Sequence, residues 1–256
     1  MATFNVNGIN GRLPVLLRWV AEAQPDVVCL QELKAPQDKF PAKALAEAGY
    51  QALWHGQPRW NGVAILARTG TIQPTRRGLP DDPDPTQSRY LEAAVNGVLV
   101  ACLYLPNGNP RPGPKYAYKL AWFDALLAHA AFLLDSGLPV VLAGDFNVIP
   151  TPADVYKPER WQDDALFTPE IRDRFARLIT AGWTDALRTL HLDADLYTFW
   201  DYLRHSWSRN AGLRVDHLLL SPTLTPRLRA AAVDAHVRGW GWASDHGPVW
   251  IELAEE

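Results

Sequence analysis

Short apolar runs separated by turn-forming residues dominate the pattern of hydrophobic and polar positions along this chain of 256 residues. Runs of four to eight residues bounded by Gly, Pro, Asn or Asp are typical of β-strands. An Asn-Gly pair at 96–97 lies between two such runs and predicts a tight hairpin turn. The predicted strands are 2–6, 26–31, 51–55, 62–67, 89–95, 98–105, 140–145, 214–220, 230–236 and 248–253.

Four other segments repeat their apolar residues every three or four positions, which is the period of an amphipathic helix. They are 13–23, with Pro14 in the first turn, 39–48, 115–136 and 168–181. The longest is expected to bury a face formed by Leu120, Phe123, Leu127, Ala130 and Leu134. Many strands with few helices between them predict an α/β domain spanning 1–256. We expect two packed, mostly antiparallel sheets flanked by helices.

Composition and charge narrow the class of protein. Hydrophobic residues make up 48% and charged residues 21% of the chain, which is ordinary globular composition. A net charge of −3 argues against nucleic-acid binding over the whole surface, although a local basic face stays compatible with it. No signal peptide and no uninterrupted apolar run of about 18 residues is visible. Cys29 and Cys102 lie in apolar runs and predict buried thiols in the reducing cytoplasm.

Polar side chains occur at or directly after the ends of several predicted strands. Taken singly, each has an ordinary explanation: an Asn before Gly forms turns, an isolated Glu is solvated, and an Asp caps a turn. Asp216 is harder to explain in this way, because it interrupts an apolar strand and a buried carboxylate needs a partner. The set comprises Asn5, Asn7, Glu32, Tyr104, Asn107, Asp145, Asn147, Asp216, Asp245 and His246.

Together these residues indicate a metal-dependent hydrolase. Carboxylate and amide oxygens select Mg²⁺ or Mn²⁺. The chain has no Cys/His spacing typical of zinc, no P-loop and no Gly-x-Ser-x-Gly motif. A hard metal beside an Asp–His pair is suited to phosphoester cleavage, because the metal neutralises the phosphate while a base activates water. Asp145 and Asn147 are two residues apart, so a strand period of two directs both to one side.

Eight segments occur in an order that resembles the exodeoxyribonuclease III family, the abasic-site (AP) endonucleases of the exonuclease–endonuclease–phosphatase superfamily. They are "FNVNG", "LQELK", "NGVAIL", "YLPNG", "GDFNV", "YTFWDY", "NAGLRVDHLLLS" and "SDHGPVW", running from Thr3 to Glu252. The resemblance implies a DNase I-like fold, which is a four-layer α/β sandwich of two mixed sheets with the active site at one edge.

The resemblance also implies a role for each residue of the polar set. Asp145 would orient or deprotonate the attacking water, and Asn147 would hold water or a phosphate oxygen. Asp216 would pair with His246, sustaining the charge of an imidazolium that contacts the scissile phosphate. Tyr104 would bind phosphate and assist the leaving oxygen. Glu32 would be the principal ligand of Mg²⁺, replaceable by Mn²⁺, beside Asn5, Asn7 and Asp245, and Asn107 would bind phosphate.

Substrate specificity is expected in the segment 197–216. By resemblance, Phe199, Trp200, Leu213 and Val215 wall a small apolar pocket that accepts a flipped deoxyribose without its base. Further predicted DNA contacts are Leu203 and Arg204 at the duplex, Trp60 in the opposite groove, and phosphate-facing Arg59, Lys34, Arg89, Arg209, Arg111 and Lys115. Two tryptophans before "SDH", Trp240 and Trp242, have no role by resemblance. Asn7 replaces an acidic residue found in some relatives.

The expected function is Mg²⁺-dependent DNA repair in a bacterial cytoplasm, at the nucleoid. The enzyme would cut 5′ to abasic sites in duplex DNA and remove nucleotides or blocking groups from 3′ ends. It would act as a monomer and would not associate with a membrane. Two alternatives stay open. One is a superfamily phosphoesterase for another substrate, such as an inositol phosphate or a sphingolipid. The other is a non-catalytic, RNA-associated regulator like the catabolite-repression control protein.

Overall fold

Two six-stranded β-sheets pack face to face in the computed structural model, which describes residues 1–192 and 195–254. Strands are numbered along the chain. The first sheet contains, in spatial order, β11 (Leu228–Val233), β12 (Val249–Leu253), β1 (Ala2–Asn5), β2 (Val27–Gln31), β4 (Val63–Ala67) and β3 (Gln51–His55). The second contains β5 (Gln73–Arg77), β6 (Tyr90–Val95), β7 (Val98–Tyr104), β8 (Val140–Asp145), β10 (Asp216–Leu220) and β9 (Thr184–Asp185).

Helices cover the outer face of each sheet. Helices α1 (Ile9–Ala23) and α2 (Ala42–Glu47) pack on the first sheet, and α3 (Pro114–Asp135) and α4 (Pro169–Ala181) pack on the second. A short helix α5 (Ala186–Leu190) contributes to the core between the sheets. The resulting order of helix, sheet, sheet and helix confirms the predicted four-layer α/β sandwich.

The buried strands alternate their side chains between two cores, which explains why the sequence shows them as continuous apolar runs. In β2, Val27 and Cys29 face the second sheet, whereas Val28 and Leu30 face the helices. Both faces of the strand are buried away from water, so the side chains on both faces are apolar. Cys29 and Cys102 are buried free thiols, as predicted.

The sheets are mixed, and their connections bring several strand ends to one edge. Strand β1 pairs in parallel with β2, and β7 pairs in parallel with β8, while the other pairs are antiparallel. Four strands therefore finish at the edge where β10 and β12 begin. Gly144 permits the close approach of β7 to β8 just before that edge, because a Cβ there would lie 1.9 Å from the carbonyl oxygen of Leu103.

Helix α1 begins four residues earlier than predicted. It starts at Ile9 after Gly8, whose φ of 102° is in the left-handed region. Pro14 therefore lies inside the helix, not in its first turn. The residues Asn10 and Gly11 are weak helix formers and concealed the first turn in the sequence.

The buried face of helix α3 agrees only in part with the predicted one. Phe123 and Ala130 are buried as predicted, whereas Leu120, Leu127 and Leu134 are only partly buried. The inward positions include two polar residues, Lys119 and His129, whose partners are inside the protein. These polar residues made the inward face look less apolar than its neighbour. The buried residues are Lys119, Trp122, Phe123, Leu126, His129, Ala130 and Leu133.

Three elements were absent from the prediction, namely β5, β9 and α5. All five residues of β5 are exposed, so this edge strand has no apolar pattern. The other two are very short.

By length and composition α3 is the single helix among the described residues that could cross a membrane. Its charged residues interrupt the apolar run, and its buried face packs on the second sheet.

Candidate active site

The ten polar residues predicted from strand ends converge on one edge of the sandwich. Asn5, Tyr104 and Asp145 end β1, β7 and β8, and Glu32 directly follows β2. Asp216 begins β10. The register places Asp145 opposite both Tyr104 and Asp216, so three strands deliver these side chains side by side.

Amide groups connect the carboxylates of the two sheets. The Nδ2 atom of Asn5 donates to Glu32 Oε1 at 3.1 Å and to Asp145 Oδ2 at 2.9 Å. The Nδ2 atom of Asn7 donates to Asp245 Oδ1 at 2.9 Å. Each carboxylate keeps further oxygen lone pairs, so Glu32, Asn5, Asn7 and Asp245 form a cradle of oxygen atoms that could bind a cation.

A lysine occupies the centre of this cradle. The Nζ atom of Lys34 lies 2.8 Å from Glu32 Oε2 and 2.6 Å from Asn7 Oδ1. Burial opposes ionisation of Glu32, but Lys34 outweighs it and lowers the pKa of the carboxyl group. The oxygen set is therefore arranged around positive charge. All-oxygen donors of this kind fit a divalent cation such as Mg²⁺ or Mn²⁺.

The backbone of the cradle is held in an unusual conformation. Asn7, Glu32 and Lys34 have φ angles of 47°, 52° and 49°, in the left-handed region. Non-glycine residues are uncommon there and concentrate at functional sites. Their positive φ angles turn the chain sharply after β1 and β2 and direct the three side chains towards one point.

Asp216 and His246 form a buried pair. His246 Nδ1 lies 2.8 Å from Asp216 Oδ2, which also accepts from the Thr198 hydroxyl at 2.6 Å. Burial lowers the pKa of His246, but Asp216 outweighs burial and raises it to about 10. The ring is therefore an imidazolium at neutral pH, with Nε2–H facing the site. Asp216 Oδ1 is buried and has no hydrogen-bond partner among the described residues.

Asp145 faces this imidazolium across a gap. Its Oδ2 lies 3.9 Å from His246 Nε2, which is too far for a direct hydrogen bond. Burial and the nearby carboxylates of Asp216 and Glu32 raise the pKa of Asp145 to about 7, although His246 opposes them. The backbone N–H of Asn147 donates to Asp145 Oδ1 at 2.8 Å and orients the carboxylate. Asp145 Oδ2 and His246 Nε2 are close enough for one reacting group at the edge to contact both.

Asp145, Asp216 and His246 are close enough to form a second possible cation site, since their ligand atoms lie within 4.8 Å of one another. A protonated imidazole has no lone pair to offer a metal. With His246 charged and bonded to Asp216, the oxygen cradle at Glu32 is the better cation site.

Two asparagines form the next part of the edge. Asn107 Nδ2 donates to Asn147 Oδ1 at 3.1 Å, and Asn147 Nδ2 donates to the carbonyl of Leu105 at 2.9 Å. Beneath them, the fully buried Lys119 donates to the backbone carbonyls of Asn107 and Asn147 at 2.9 and 2.6 Å. Burial lowers the pKa of Lys119 to about 7. Sequence reasoning missed Lys119, although a lysine inside an apolar helix was the available signal.

A cavity of about 410 Å³ lies beside this edge. Its lining contains Phe199 and Leu213 from the predicted pocket, together with Leu203 and Arg204, which were predicted to lie at the duplex. The ring of Phe199 meets His246 edge-on with centroids 5.0 Å apart, which joins the cavity to the Asp216–His246 pair. The lining is more polar than expected, because it also includes Arg160, Asp164, Asp201 and Arg209.

Trp200 and Val215 lie behind the cavity and not in its lining. The Nε1–H group of Trp200 donates to Asn210 Oδ1 at 3.0 Å, and its ring packs edge-on against Trp207. Trp200 therefore supports the loop that carries Asn210. The resemblance had implied that Trp200 and Val215 wall the pocket, but neither belongs to the lining of this cavity.

The predicted duplex contacts are exposed near the same edge. Leu203 is 66% exposed, and Trp60 is 72% exposed. Trp60 precedes Asn61, whose carbonyl accepts from the backbone N–H of Lys34 at 2.9 Å. The loop with Trp60 thus borders the oxygen cradle. Among the predicted cations, Arg89 differs, because it packs inward on Tyr104 and donates to the carbonyl of that residue.

Two hydroxyl groups that support the site were not assigned from the sequence. Thr198 fixes Asp216, and its Oγ1 also accepts from the backbone N–H groups of Val215 and Asp216. Ser244 donates to the carbonyl of Asn5 at 2.7 Å and so ties the Asp245 segment to β1. The signal for Thr198 was a single hydroxyl group within an aromatic segment.

Comparison with known proteins agrees with this fold. The family described as endonuclease/exonuclease/phosphatase matches residues 2–246. The exodeoxyribonuclease III of Haemophilus influenzae is 31% identical over 98% of both chains. The structure of the 3′-5′ exonuclease NExo from Neisseria meningitidis is similar, with a TM-score of 0.95 and 41% identity over 98% of both chains.

Two further structures are similar over nearly their whole length. The AP endonuclease from Archaeoglobus fulgidus has a TM-score of 0.94 and 32% identity, covering 98% of both chains. The Neisseria 3′ phosphatase NExo, bound to a product DNA hairpin, has a TM-score of 0.94 and 40% identity, covering 99% of this chain and 98% of its own. With a family match across residues 2–246, the chain belongs to the endonuclease/exonuclease/phosphatase family.

Proposed function

We propose that this protein is a Mg²⁺-dependent DNA-repair nuclease. It hydrolyses the phosphodiester 5′ to abasic sites in duplex DNA and removes nucleotides or blocking groups from 3′ ends. The observation that carries the proposal is Asp145 facing the Asp216–His246 pair beside the oxygen cradle at Glu32. Support also comes from relatives that are an AP endonuclease, a 3′-5′ exonuclease and a 3′ phosphatase with product DNA.

One hydrolytic step accounts for all three activities. Incision 5′ to an abasic site, removal of a 3′ nucleotide and removal of a 3′ phosphate each break a bond between phosphorus and a 3′ oxygen. In each case water adds to phosphorus and the departing 3′ oxygen takes up a proton. A single set of catalytic groups is therefore sufficient, and the substrate differs only in what is attached to the phosphorus.

The cation would be held by Glu32, with Asn5, Asn7 and Asp245 around it. When bound, Mg²⁺ supplies positive charge to a phosphate oxygen and to the leaving 3′ oxygen. The residues of the cradle fit this role because they are oxygen donors already arranged around the Lys34 ammonium group. Mn²⁺ prefers the same ligands and should substitute.

His246 and Asp145 lie side by side and act on the scissile phosphate and on the attacking water. Asp216 keeps His246 charged through Nδ1, so Nε2–H donates to a non-bridging phosphate oxygen and stabilises the charge of the transition state. Asp145, oriented by the amides of Asn5 and Asn147, accepts a proton from the attacking water. The 3.9 Å gap between them leaves the reacting group in contact with both residues.

Tyr104 and the asparagine pair complete the phosphate site. The Tyr104 hydroxyl donates to Glu32 Oε1 at 2.7 Å, and burial together with Glu32 raises its pKa well above the usual range. Tyr104 is therefore neutral, and its single proton would serve the developing 3′ oxygen once it turns away from Glu32. Asn107 and Asn147 present amide groups next to it for the other phosphate oxygens.

Substrate choice is assigned to the cavity beside Phe199 and Leu213. A deoxyribose without a base would enter it against Phe199, while Arg204 and Arg209 at the rim face the flanking phosphates. The two buried free thiols suit a reducing bacterial cytoplasm, where the enzyme would act on nucleoid DNA as a monomer.

The test is incision of a duplex oligonucleotide that carries one abasic-site analogue, with Mg²⁺ and with EDTA. We expect one cut immediately 5′ to the analogue, lost with EDTA and in Asp145→Asn and His246→Asn. Asp135→Asn changes an exposed carboxylate at the end of α3 and serves as the matched control. In a parallel experiment, a duplex oligonucleotide with a 3′ phosphate should release inorganic phosphate.

The same assay separates the proposal from its rivals. Wild-type protein that cuts neither duplex in Mg²⁺ or Mn²⁺ would overturn the repair-nuclease function. Hydrolysis of a soluble inositol phosphate without cleavage of DNA would indicate the phosphoesterase instead. Metal-independent RNA binding without any hydrolysis would indicate the regulatory relative.

A further inference from the structure

An exposed tryptophan next to the active site has no part in the function proposed above. Trp242 is 89% exposed, the largest exposed fraction among the large hydrophobic residues in the described chain. Its φ angle of 61° is in the left-handed region, where residues with a large side chain are uncommon. An indole of this size gains from removal from water, so its exposure on a constrained backbone suggests a partner.

The two residues that follow Trp242 anchor its loop to the site. The hydroxyl of Tyr202 donates to the carbonyl of Ala243 at 2.8 Å and lies 3.4 Å from Asn7 Nδ2. The next residue, Ser244, donates to the carbonyl of Asn5. Trp242 therefore stands at the rim of the oxygen cradle, on a backbone that the site itself fixes.

Three arginines lie around this rim, and one of them, Arg18, is also paired with Glu22 at 2.8 Å. Arg12 NH2 lies 3.4 Å from the Tyr202 hydroxyl, and Arg238 lies 4.8 Å above the Tyr202 ring. Arg18 covers the neighbouring Trp240 at 3.8 Å from the ring centroid. Trp240 is thus already packed, whereas Trp242 is not. A surface that combines a free aromatic ring with arginines fits a polyanion that has flat apolar faces.

We propose that Trp242 stacks on a base or sugar that the abasic site leaves exposed in duplex DNA and, with Tyr202 and Arg12, extends the substrate-binding surface past the cradle. This inference rests on the proposed nuclease function and names a further part of its substrate site. Stacking of a base or sugar on an exposed ring is sequence-tolerant, which suits a repair enzyme that meets damage in any sequence. The adjacent arginines contact the phosphates on either side.

The kinetic test compares Trp242→Ala, Trp242→Phe and Trp242→Leu on the abasic duplex in Mg²⁺. Loss of one aromatic stacking contact should raise KM roughly tenfold for the Ala variant. The value of kcat should stay unchanged, because the contact is equal in the ground and transition states. Phe should restore most of the binding and Leu should not. Phe132→Ala is the matched control, since Phe132 is 65% exposed on the outer helix α3.

A second measurement locates the contact directly. The difference in emission between wild type and Trp242→Phe isolates Trp242 from the other ten tryptophans. This signal should be quenched by acrylamide in the free protein and protected when duplex DNA is added in EDTA. Protection should depend on DNA concentration and not on protein concentration.

The outcomes separate failure of this inference from failure of the function. If wild-type protein cuts the duplex but the Ala variant has the same KM, or Leu restores binding as well as Phe, aromatic stacking by Trp242 is overturned. Protection that rises with protein alone would assign the ring to a second copy of the chain, which also overturns it. If wild type cuts no DNA, the function fails first and the inference fails with it.

Discussion

Strand β10 carries one residue of each of two buried charge clusters, and the clusters differ in how their charges are balanced. Asp216 belongs to the site cluster with Asp145 and His246, whereas His217 belongs to an ion network on the other face of the sheet. Adjacent residues of a strand point to opposite faces, so one residue step separates the two clusters. The network consists of Asp154, Asp185, Arg188, Arg214 and His217.

Every carboxylate of the ion network faces an arginine. Arg214 donates at 2.7 Å to both Asp154 Oδ1 and Asp185 Oδ2, and Arg188 adds a second bond to Asp154. The arginines outweigh burial and hold the pKa of Asp154 and Asp185 below its usual range. Two carboxylates balance two guanidinium groups, so this network needs no ligand.

The site cluster is left incomplete. Two carboxylates share one imidazolium, the pKa of Asp145 is raised to about 7, and Asp216 Oδ1 lacks a partner among the described residues. Such an arrangement costs stability, because like charges are held together out of water. Balanced buried charge therefore marks a structural network, and unbalanced buried charge at an edge marks a place for substrate and metal.

The largest expected effect is on activity, from Asp145→Asn. Removing the base should lower single-turnover cleavage about 10³- to 10⁴-fold. The free energy of unfolding should stay equal or rise, because the change removes a carboxylate that repels Asp216. Chemical denaturation and single-turnover cleavage of the abasic duplex measure the two effects. A stable variant that retains a tenth of the activity would contradict the role of Asp145.

The ion network should respond in the opposite way. Arg214→Met leaves Asp154 and Asp185 with buried negative charge, and removing one partner of a buried pair costs about 3–5 kcal/mol. We expect that loss in the free energy of unfolding. Cleavage per folded molecule should change far less than in Asp145→Asn. Arg229→Met, at an exposed position of β11, is the control. A variant as stable as wild type would show that the network is not structural.

Acid should weaken the ion network through His217. Burial and Arg214 lower the pKa of His217 to about 4, and its usual value is 6.5. Between these values the unfolded chain binds the proton and the folded protein does not, so stability falls as the pH falls. His217 faces Arg214, Asp185 and, more distantly, Asp154, and it donates to the carbonyl of Val148.

The measurement is the difference in unfolding free energy between wild type and His217→Gln at several pH values. From pH 7 to pH 4 the wild type should lose about 3 kcal/mol relative to the variant. Taking the difference cancels the opposite contribution of Asp145, whose raised pKa favours the folded state in acid. A pH-independent difference would show that His217 stays neutral in both states.

The contrast between the clusters also explains what the sequence could reveal. The residues of the site were predictable because each lies at or near one end of a recognisable strand, and the mixed sheets bring those ends to one edge. The family resemblance then assigned their roles. Asp145 and His246 needed no knowledge of side-chain contacts to be selected, since strand ends and residue types were sufficient.

The ion network could not be predicted in the same way. Asp154 and Arg214 are 60 residues apart, and only the packing of a loop on β10 makes them partners. Lys119 was hidden because its charge contradicts the apolar period of α3 while its partners are backbone carbonyls. The choice between Phe199 and Trp200 for the cavity depends on loop rotation, which the pattern of residues does not encode.

The smallest expected effect is on metal affinity, when Lys34 is removed from the site. Lys34 is the counterpart in the site of Arg214 in the ion network. Lys34 lies between Glu32 Oε2 and Asn7 Oδ1, where a divalent cation would bind, so the ammonium group competes with the metal. Lys34→Met should raise the affinity of the DNA-free protein for Mn²⁺ about tenfold, equal to about 1.4 kcal/mol. Calorimetric titration measures this, with the exposed Lys39→Met as control.

The two clusters differ in the result of removing their cation. Removing Arg214 exposes carboxylates that nothing else can neutralise, so the fold loses stability. Removing Lys34 exposes oxygens that a divalent cation can neutralise, so the fold gains affinity for metal. Mn²⁺ affinity that falls or stays constant in Lys34→Met would place the metal outside the space between Glu32 and Asn7. The lysine would then be a structural cation, like Arg214.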